Sequence, residues 1–231
     1  DVGVTVVSPA PTLVIRPRLY EATIEGMDPD LLQLFDATGI LHVKGRITSI
    51  DPEAHRLEVV DERGVPTSLE YDKFVLATGS RLFQPPVPGL SEHGFNVDQL
   101  EDAKKLQAHL DSLASKPASK ARNTVVIAGG GFTGIETAAE MPKRLRGILA
   151  GDIDTRVVIV EQAPDIGPEL GPVPRPVIQE ALSECGVEIV TGTSVIAIPP
   201  HGVTTSDGTH IDTHTVVWTA GARAHPLAGQ I

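Results

Sequence analysis

Three glycines at positions 129, 131 and 134 lie between a short apolar run and a helical pattern. In this G-x-G-x-x-G spacing, the first glycine permits a sharp turn and the second lets a pyrophosphate approach the backbone. The third glycine lets the new helix pack closely on the strand before it. Because the free N–H groups at a helix start attract anions, the spacing predicts a dinucleotide phosphate site, although purely structural glycine turns are also common.

An acidic residue, Glu161, ends the next β-branched run, Arg156 to Val160. At this place in a dinucleotide-binding unit, a carboxylate accepts hydrogen bonds from the adenosine ribose hydroxyls. The residues that follow are Gln162, Ala163 and Pro164, so there is no arginine here to bind a 2′-phosphate. The pattern therefore favours NAD over NADP. The alternative is that Glu161 is an ordinary solvated residue at a strand end.

The composition limits the classes of partner. The 231 residues are 41% hydrophobic and carry a net charge of −11, which is ordinary for a globular protein with a real core. Without a Lys/Arg cluster, a nucleic-acid partner is not expected. The single cysteine, Cys185, leaves no disulfide framework or redox pair in this sequence and favours a reducing compartment. The apolar runs are shorter than a membrane helix, and the histidine spacing predicts no metal site.

Apolar β-branched runs and helical patterns alternate along the chain, which indicates an α/β fold. Pro142 is expected to kink or end the helix that follows the glycines. The expected helices besides that one are 30–36, 98–115 and 176–185. The expected strands are 2–7, 41–50, 56–61, 66–70, 73–77, 124–128, 156–160, 187–190, 193–198, 202–205, 209–211 and 215–219.

The two halves of the chain repeat one plan. VTVVS at Val4 to Ser8 matches VVIVE at Val157 to Glu161, and two pairs of glycines coincide, 39 with 186 and 79 with 221. The repeat predicts two copies of one nucleotide-binding fold, the second inserted after Ser80 and returning at Gly221. In the second copy a strand, a glycine turn and a helix precede the matched run. A similar unit of roughly thirty residues is therefore expected upstream of the first copy, and the sequence is expected to be a fragment.

Three motifs carry a family resemblance: GGGFTGIETAAE, YDKFVLATGS and VVWTAGARAHPLA. They resemble the pyridine nucleotide–disulfide oxidoreductase superfamily. Within that superfamily, the sequence is most similar to type II NADH dehydrogenases, because it contains the RPRLYEA segment and lacks a cysteine pair. The resemblance implies an α/β fold of two Rossmann-like three-layer domains, each with a parallel sheet and an antiparallel three-stranded meander. It implies a partial FAD-binding domain at 1–120 plus 221–231, and an NAD-binding domain inserted at 121–220.

The resemblance also implies FAD in the first copy, NADH in the second, and hydride transfer from nicotinamide to flavin. Glu136 holds the family's position near both rings and is expected to act through charge and position, the alternative being an ordinary helix-start acid. Ser8 stands where an acid usually binds the FAD ribose, so this contact is expected to be weak. The remaining implied cofactor-binding residues are Gly129, Gly130, Gly131, Phe132, Thr133, Gly134, Glu161, Gln162, Ala220 and Gly221 in the second copy, and Arg16, Ala77, Thr78 and Gly79 beside FAD.

Together these features predict an FAD-dependent NADH oxidoreductase whose electron acceptor is a quinone. One alternative is an NADH-dependent reductase of a ferredoxin, a rubredoxin or another small acceptor. A second is a nucleotide-binding redox sensor that does not turn over. A cytoplasmic location is expected. The alternative is peripheral attachment to the inner face of the membrane through a further C-terminal segment.

Overall fold

The computed structural model describes residues 2–150 and 154–231, and the chain is a mixed α/β protein of two compact units. The domain bounds predicted from the sequence, with an insertion between Ser80 and Gly221, stay predictions. Residues 82–120, which the sequence assigns to the first copy, lie in the second compact unit. The first unit is Asp1–Ile15, Glu25–Arg81 and Arg223–Ile231; the second is Arg16–Ile24 and Leu82–Ala222.

The first unit contains a two-stranded parallel sheet and an antiparallel meander. Its small core joins Ile50 and Leu57 of the meander to Leu227 of a C-terminal 3-10 turn, Pro226–Gln230. The α-helix of this unit, α1 (Leu32–Thr38), ends at Gly39, whose φ of 69° is left-handed and favours glycine. The elements are β1 (Thr5–Ser8), α1 (Leu32–Thr38) and β2 (Leu41–Lys44), then the meander β3 (Arg46–Asp51), β4 (Arg56–Val60) and β5 (Pro66–Glu70).

Two expected strands of the first unit were wrong in part or in full. The single strand expected at 41–50 is two strands, because the chain changes partner at Gly45, from β1 to β4. The buried strand expected at 73–77 is irregular, and the Val75 side chain is 84% exposed. Among the described residues no neighbouring strand pairs with this segment, so its apolar sequence alone does not make it a strand.

The second unit is built on a parallel sheet of five strands, in the order β10 (Val187–Thr191), β9 (Arg156–Glu161), β8 (Thr124–Ala128), β14 (Thr215–Trp218) and β7 (Gly94–Phe95). Its helices are α2 (Leu90–His93), α3 (Leu100–Ser112), α4 (Lys120–Asn123), α5 (Phe132–Leu149) and α6 (Arg175–Glu184). The two residues of β7 gave no sequence signal. Pro142 neither ends nor interrupts helix α5, which continues to Leu149. The remaining strands of this unit are β11 (Val195–Ala197), β12 (Gly202–Thr205) and β13 (His210–Asp212). Two short strands, β6 (Ser80–Leu82) and β15 (Ala222–Ala224), pair with each other, and most of their residues belong to the first unit.

The central sheet of the second unit is covered on both faces. Successive side chains of a strand point to opposite faces, so β8 contributes to two separate cores. Val125 and Ile127 pack with the side chains of helices α3, α5 and α6. Val126 and Ala128 pack with the meander formed by β11, β12 and β13. Helix, sheet and meander make the three expected layers, and the packing of α3 explains why residues 82–120 belong to this unit.

The repeat inferred from the sequence has the same register in both units. Thr5 pairs with Leu41 between β1 and β2, and the equivalent Val158 pairs with Glu188 between β9 and β10. The matched glycines also share a backbone conformation, with φ of 69° at Gly39 and 80° at Gly186, and 63° at Gly79 and 77° at Gly221. The sequence match therefore corresponds to equivalent positions in two related sheets.

The closest approach of a helix to the sheet is at Gly134, in the first turn of α5. A Cβ atom here would overlap the Gly129 carbonyl oxygen and would lie 2.9 Å from the Thr219 Oγ1. The Thr219 hydroxyl donates to the carbonyls of Ala128 and Gly129, at 3.2 and 3.0 Å, so its position is fixed as well. For Gly147, in the last turns of the same helix, the described part of the chain places no atom within 4 Å of a Cβ.

We expect Gly134→Ala to destabilise the protein by about 2 kcal/mol or more, because the clash is with backbone that cannot move aside. Gly147→Ala is the matched control, and it should raise stability by about 0.5 kcal/mol through helix propensity alone. Chemical denaturation followed by circular dichroism measures both. Equal stability of the two variants would contradict the close packing.

His109 is a half-buried ionisable group on α3, on the side that faces the sheet. Its Nε2 lies 2.9 Å from the Thr215 Oγ1, and its ring stacks on Phe95 with 4.2 Å between centroids. Burial, with a smaller contribution from the nearby Lys116 charge, lowers the pKa of His109 from 6.5 to about 4. A backbone hydrogen bond involving His214 acts in the opposite direction but is outweighed. The folded protein therefore holds the neutral imidazole.

Because the folded-state pKa of His109 is depressed, its contribution to stability is complete above pH 6.5 and is lost as the pH falls towards about 4. After allowance for its partial exposure, we expect a loss of about 1 kcal/mol over that range. The free energy of unfolding of His109→Gln should fall less steeply with pH than that of wild type. His93→Gln, at an exposed position, should keep the wild-type slope. A wild-type slope in His109→Gln would contradict this assignment.

Candidate nucleotide-binding site

The predicted glycine turn connects β8 directly to α5. Gly129 has a φ of 114°, and a Cβ atom there would lie 2.9 Å from the backbone nitrogen of Ala220. The turn is therefore confined between the start of α5 and the segment that follows β14. This close contact brings Ala220 beside the glycines, and Gly221 follows it. The predicted role of both residues in nucleotide binding stays a prediction.

The carboxylate of Glu161 is bound to the glycine turn. Its Oε2 accepts a 2.6 Å hydrogen bond from the Gly130 N–H, and its Oε1 accepts a 2.7 Å hydrogen bond from the Ala163 N–H. The residue is 7% exposed, so it is not the solvated strand-end acid of the alternative interpretation. Two backbone donors compensate for the burial of the charge. Gln162, next in the chain, is exposed.

A second carboxylate, that of Glu169, lies at the start of α5. It is not among the residues predicted from the sequence. Glu169 Oε1 accepts a 2.9 Å hydrogen bond from the Phe132 N–H. A Cβ atom on Gly131 would lie 2.8 Å from the same oxygen. Glu169 is in a 3-10 turn, Pro168–Leu170, and its only sequence signal is the pair of glycines that flank this turn.

Glu136 lies in the second turn of α5, on the exposed surface near Tyr20. Partial burial raises the pKa of Glu136 above its ordinary value. Burial also raises the pKa of Tyr20, and the Glu136 charge adds to that effect. The backbone carbonyl of Tyr20 accepts a 2.9 Å hydrogen bond from Arg144 of the same helix. The 16–24 segment and α5 thus place a carboxyl and a phenol near one another.

Arg16 is paired within the second unit. Its Nε donates to the Asp98 carbonyl at 2.9 Å, and its guanidinium forms an ion pair with the Asp98 carboxylate. Burial opposes ionisation of Asp98, but hydrogen bonds from Gln99, Arg16 and the Leu82 N–H outweigh it and lower the pKa of this carboxyl. Arg16 is predicted to bind FAD together with Ala77 to Gly79, but Arg16 lies in the second unit and those three residues lie in the first.

The other residues predicted to bind FAD lie in the first unit. The Ser8 hydroxyl, at the end of β1, donates to the Ala10 carbonyl at 2.6 Å and lies 3.0 Å from the His42 Nε2. His42 was not among the predicted residues. Gly79 accepts a 3.2 Å hydrogen bond from the His225 N–H, and Ala77 and Thr78 precede it in an irregular segment.

The second unit has a glycine turn and a helix start whose N–H groups fit the phosphates of a dinucleotide. The described part of the first unit offers fewer of these features. In the second unit, the first N–H group of an 18-residue helix already binds an anionic oxygen above a glycine turn. In the described residues of the first unit, no glycine turn leads into a helix of that length. Residues Phe132 and Thr133, both exposed at the start of α5, complete the predicted second-unit set.

Within residues 2–150 and 154–231, the helices are too short or too polar to cross a bilayer. Over those same residues, three or more His, Cys, Asp or Glu side chains do not come together as metal ligands.

Comparison with known proteins gives relatives along the whole chain. It is 43% identical over 232 aligned residues to an NADH dehydrogenase-like protein of Mycobacterium tuberculosis, a match that covers 100% of this chain and 57% of the relative. It is 32% identical to the demethylphylloquinone reductase of Synechocystis, with 93% of this chain and 53% of the relative covered. The chain thus spans little more than half the length of these relatives.

The fold is similar to that of solved enzymes. The structure of NDH2 from Plasmodium falciparum in complex with NADH matches with a TM-score of 0.81 at 16% identity, over 99% of this chain and 52% of that one. At that identity the likeness concerns the fold alone. The family model described as pyridine nucleotide-disulphide oxidoreductase matches residues 4–230. The chain belongs to the pyridine nucleotide-disulphide oxidoreductase family.

Proposed function

We propose that this chain is the nucleotide-binding part of a flavoprotein oxidoreductase that takes a hydride from NADH. The observation that carries the proposal is the buried Glu161 carboxylate, anchored to the Gly130 N–H beside the glycine turn. The proposal assigns NADH to the second unit, with its pyrophosphate at Gly129 to Thr133. Family membership and the M. tuberculosis relative support this assignment.

The local charges favour NADH over NADPH. The Glu161 carboxylate would accept hydrogen bonds from ribose hydroxyls and would repel a 2′-phosphate. The nearest cation that follows in the chain, Arg175, is paired with Asp165 at 2.9 Å and also donates to the Ile166 carbonyl. It is therefore not free to neutralise an added phosphate.

The roles proposed for the remaining residues are positional. Glu136 would set the electrostatic environment of the nicotinamide from its position in the second turn of α5. Ser8, Arg16 and Ala77 to Gly79 would contact FAD in the whole protein. FAD, when bound, supplies the ring that accepts the hydride. Hydride transfer requires no proton from Glu136, so its role is to orient and to adjust charge.

A quinone is the proposed electron acceptor, and the support is the 32% identity with the demethylphylloquinone reductase. The alternative acceptors are a ferredoxin, a rubredoxin or another small redox carrier. A nucleotide-binding sensor without turnover is a third possibility, since Ser8 stands where the equivalent residue of the second unit is Glu161.

We expect the intact protein to be purified yellow, and its visible absorbance to bleach when NADH is added without oxygen. NADPH at equal concentration should bleach it at least about tenfold more slowly, because its 2′-phosphate meets Glu161. Quinone and ferredoxin, offered separately as oxidants, identify the acceptor from the rate at which the yellow colour returns. A colourless protein that still binds NADH would eliminate the enzyme in favour of the sensor.

We expect Glu161→Gln to raise the KM for NADH by about tenfold, since it weakens a charge-assisted hydrogen bond. The preference for NADH over NADPH should fall, because the charge that repels the 2′-phosphate is removed. Steady-state kinetics with both nucleotides measures the two effects. Glu188→Gln is the control: this exposed glutamate pairs with Arg156, away from the turn, and both constants should stay as in wild type. An unchanged nucleotide preference in Glu161→Gln would contradict the assigned role.

A further inference from the structure

We infer that Glu169 is a built-in competitor for the dinucleotide phosphate, and this inference rests on the function proposed above. Its carboxylate accepts the Phe132 N–H at 2.9 Å, at the start of the helix that follows the glycine turn. The same oxygen lies 2.8 Å from the position of a Cβ on Gly131. It therefore occupies the space above the second motif glycine, which a pyrophosphate must enter.

The competition follows from the chemistry of the donor. The first N–H groups of a helix have no partner within the helix, and they bind anionic oxygens, whether of a carboxylate or of a phosphate. The Phe132 N–H cannot make a full hydrogen bond to both at once. A dinucleotide that uses this donor must first displace Glu169, and the free energy of that contact is subtracted from the binding of the nucleotide.

The two carboxylates at the turn differ in how firmly they are held. Glu161 is 7% exposed and is bound by two N–H groups, which makes it a permanent part of the turn. Glu169 is exposed, and across the described residues its hydrogen bonding comes from the Phe132 N–H alone. An exposed side chain with one such contact can leave by a change of rotamer.

The backbone around Glu169 permits that exchange without loss of the local fold. Gly167 and Gly171, at either side of the 3-10 turn, have left-handed φ values of 57° and 73°. The Gly167 N–H donates to the Gly130 carbonyl at 2.9 Å, so this side of the turn stays attached to the glycine turn. At Gly171 a Cβ atom would meet no atom of the described residues within 4 Å, so this side of the turn has space around it. The carboxylate can therefore move while its turn stays in place.

The test is equilibrium binding of ADP-ribose to the intact protein at low ionic strength, with Glu169→Gln, Glu169→Ala and wild type compared. ADP-ribose carries the pyrophosphate but has no nicotinamide, so the readout is independent of hydride transfer. We expect the Kd to fall about three- to tenfold in Glu169→Gln and at least as far in Glu169→Ala, which also removes the acceptor atom. Added salt should narrow the difference, because an exposed charge is screened.

Two controls separate competition for the helix start from a general change of charge. Glu180→Gln removes one exposed negative charge from α6 and should leave the Kd as in wild type. Adenosine, which lacks phosphate, should bind wild type and both Glu169 variants equally. A thermal melt of each variant verifies that it is folded, so weaker binding by a folded Glu169→Ala counts against the inference.

The outcomes distinguish this inference from the proposed function. If wild type binds NADH and ADP-ribose but neither Glu169 variant binds ADP-ribose more tightly, the competitor role is wrong and the proposed function stands. If neither wild type nor the variants bind either nucleotide, both proposals are wrong. Tighter binding in both Glu169 variants, with Glu180→Gln unchanged, supports the inference.

Discussion

The second unit depends on the direct contact between the first turn of α5 and the end of β8. With Gly134 against the Gly129 carbonyl, the helix starts at the edge of the sheet, with no space for a side chain between them. Thr219 adds a hydroxyl that donates to the same carbonyl. This contact determines where the Phe132 N–H points, and the two carboxylates at the turn are positioned relative to it. A helix displaced outward by one methyl group would move the Phe132 N–H away from the Glu169 carboxylate.

The two units show how one backbone plan can carry different side-chain chemistry. The parallel pairing of β1 with β2 has the same register as that of β9 with β10. At the equivalent strand ends, however, Ser8 donates to a nearby carbonyl, whereas Glu161 accepts two backbone N–H groups. A hydroxyl contributes both a donor and an acceptor, and an ionised carboxylate contributes acceptors only. The shared register fixes where a ligand-facing residue stands, and the residue type then decides which ligand groups suit it.

Local patterns in the sequence predicted the parts of the structure that depend on local physics. The turn at Gly129 was predictable because each glycine has its own steric reason, and the repeat was predictable because its glycines share positive φ. The expected strand at 73–77 was wrong because strand formation needs a neighbour that its own apolar residues do not supply. Asp98 and Glu169 were not predicted, for a related reason. Asp98 contacts Arg16 and Glu169 accepts the Phe132 N–H, and each partner is 37 or more residues away in the sequence. The individual cofactor contacts remain predictions.

Trp218 ends β14 with its indole N–H donating to the Ala220 carbonyl at 2.9 Å, next to the glycine turn, and it is 8% exposed. It is the only tryptophan among the 231 residues. Intrinsic fluorescence excited at the red edge of protein absorption therefore arises in the second unit alone. The first unit contributes no tryptophan emission to this measurement. The two units can therefore be distinguished by fluorescence without a label.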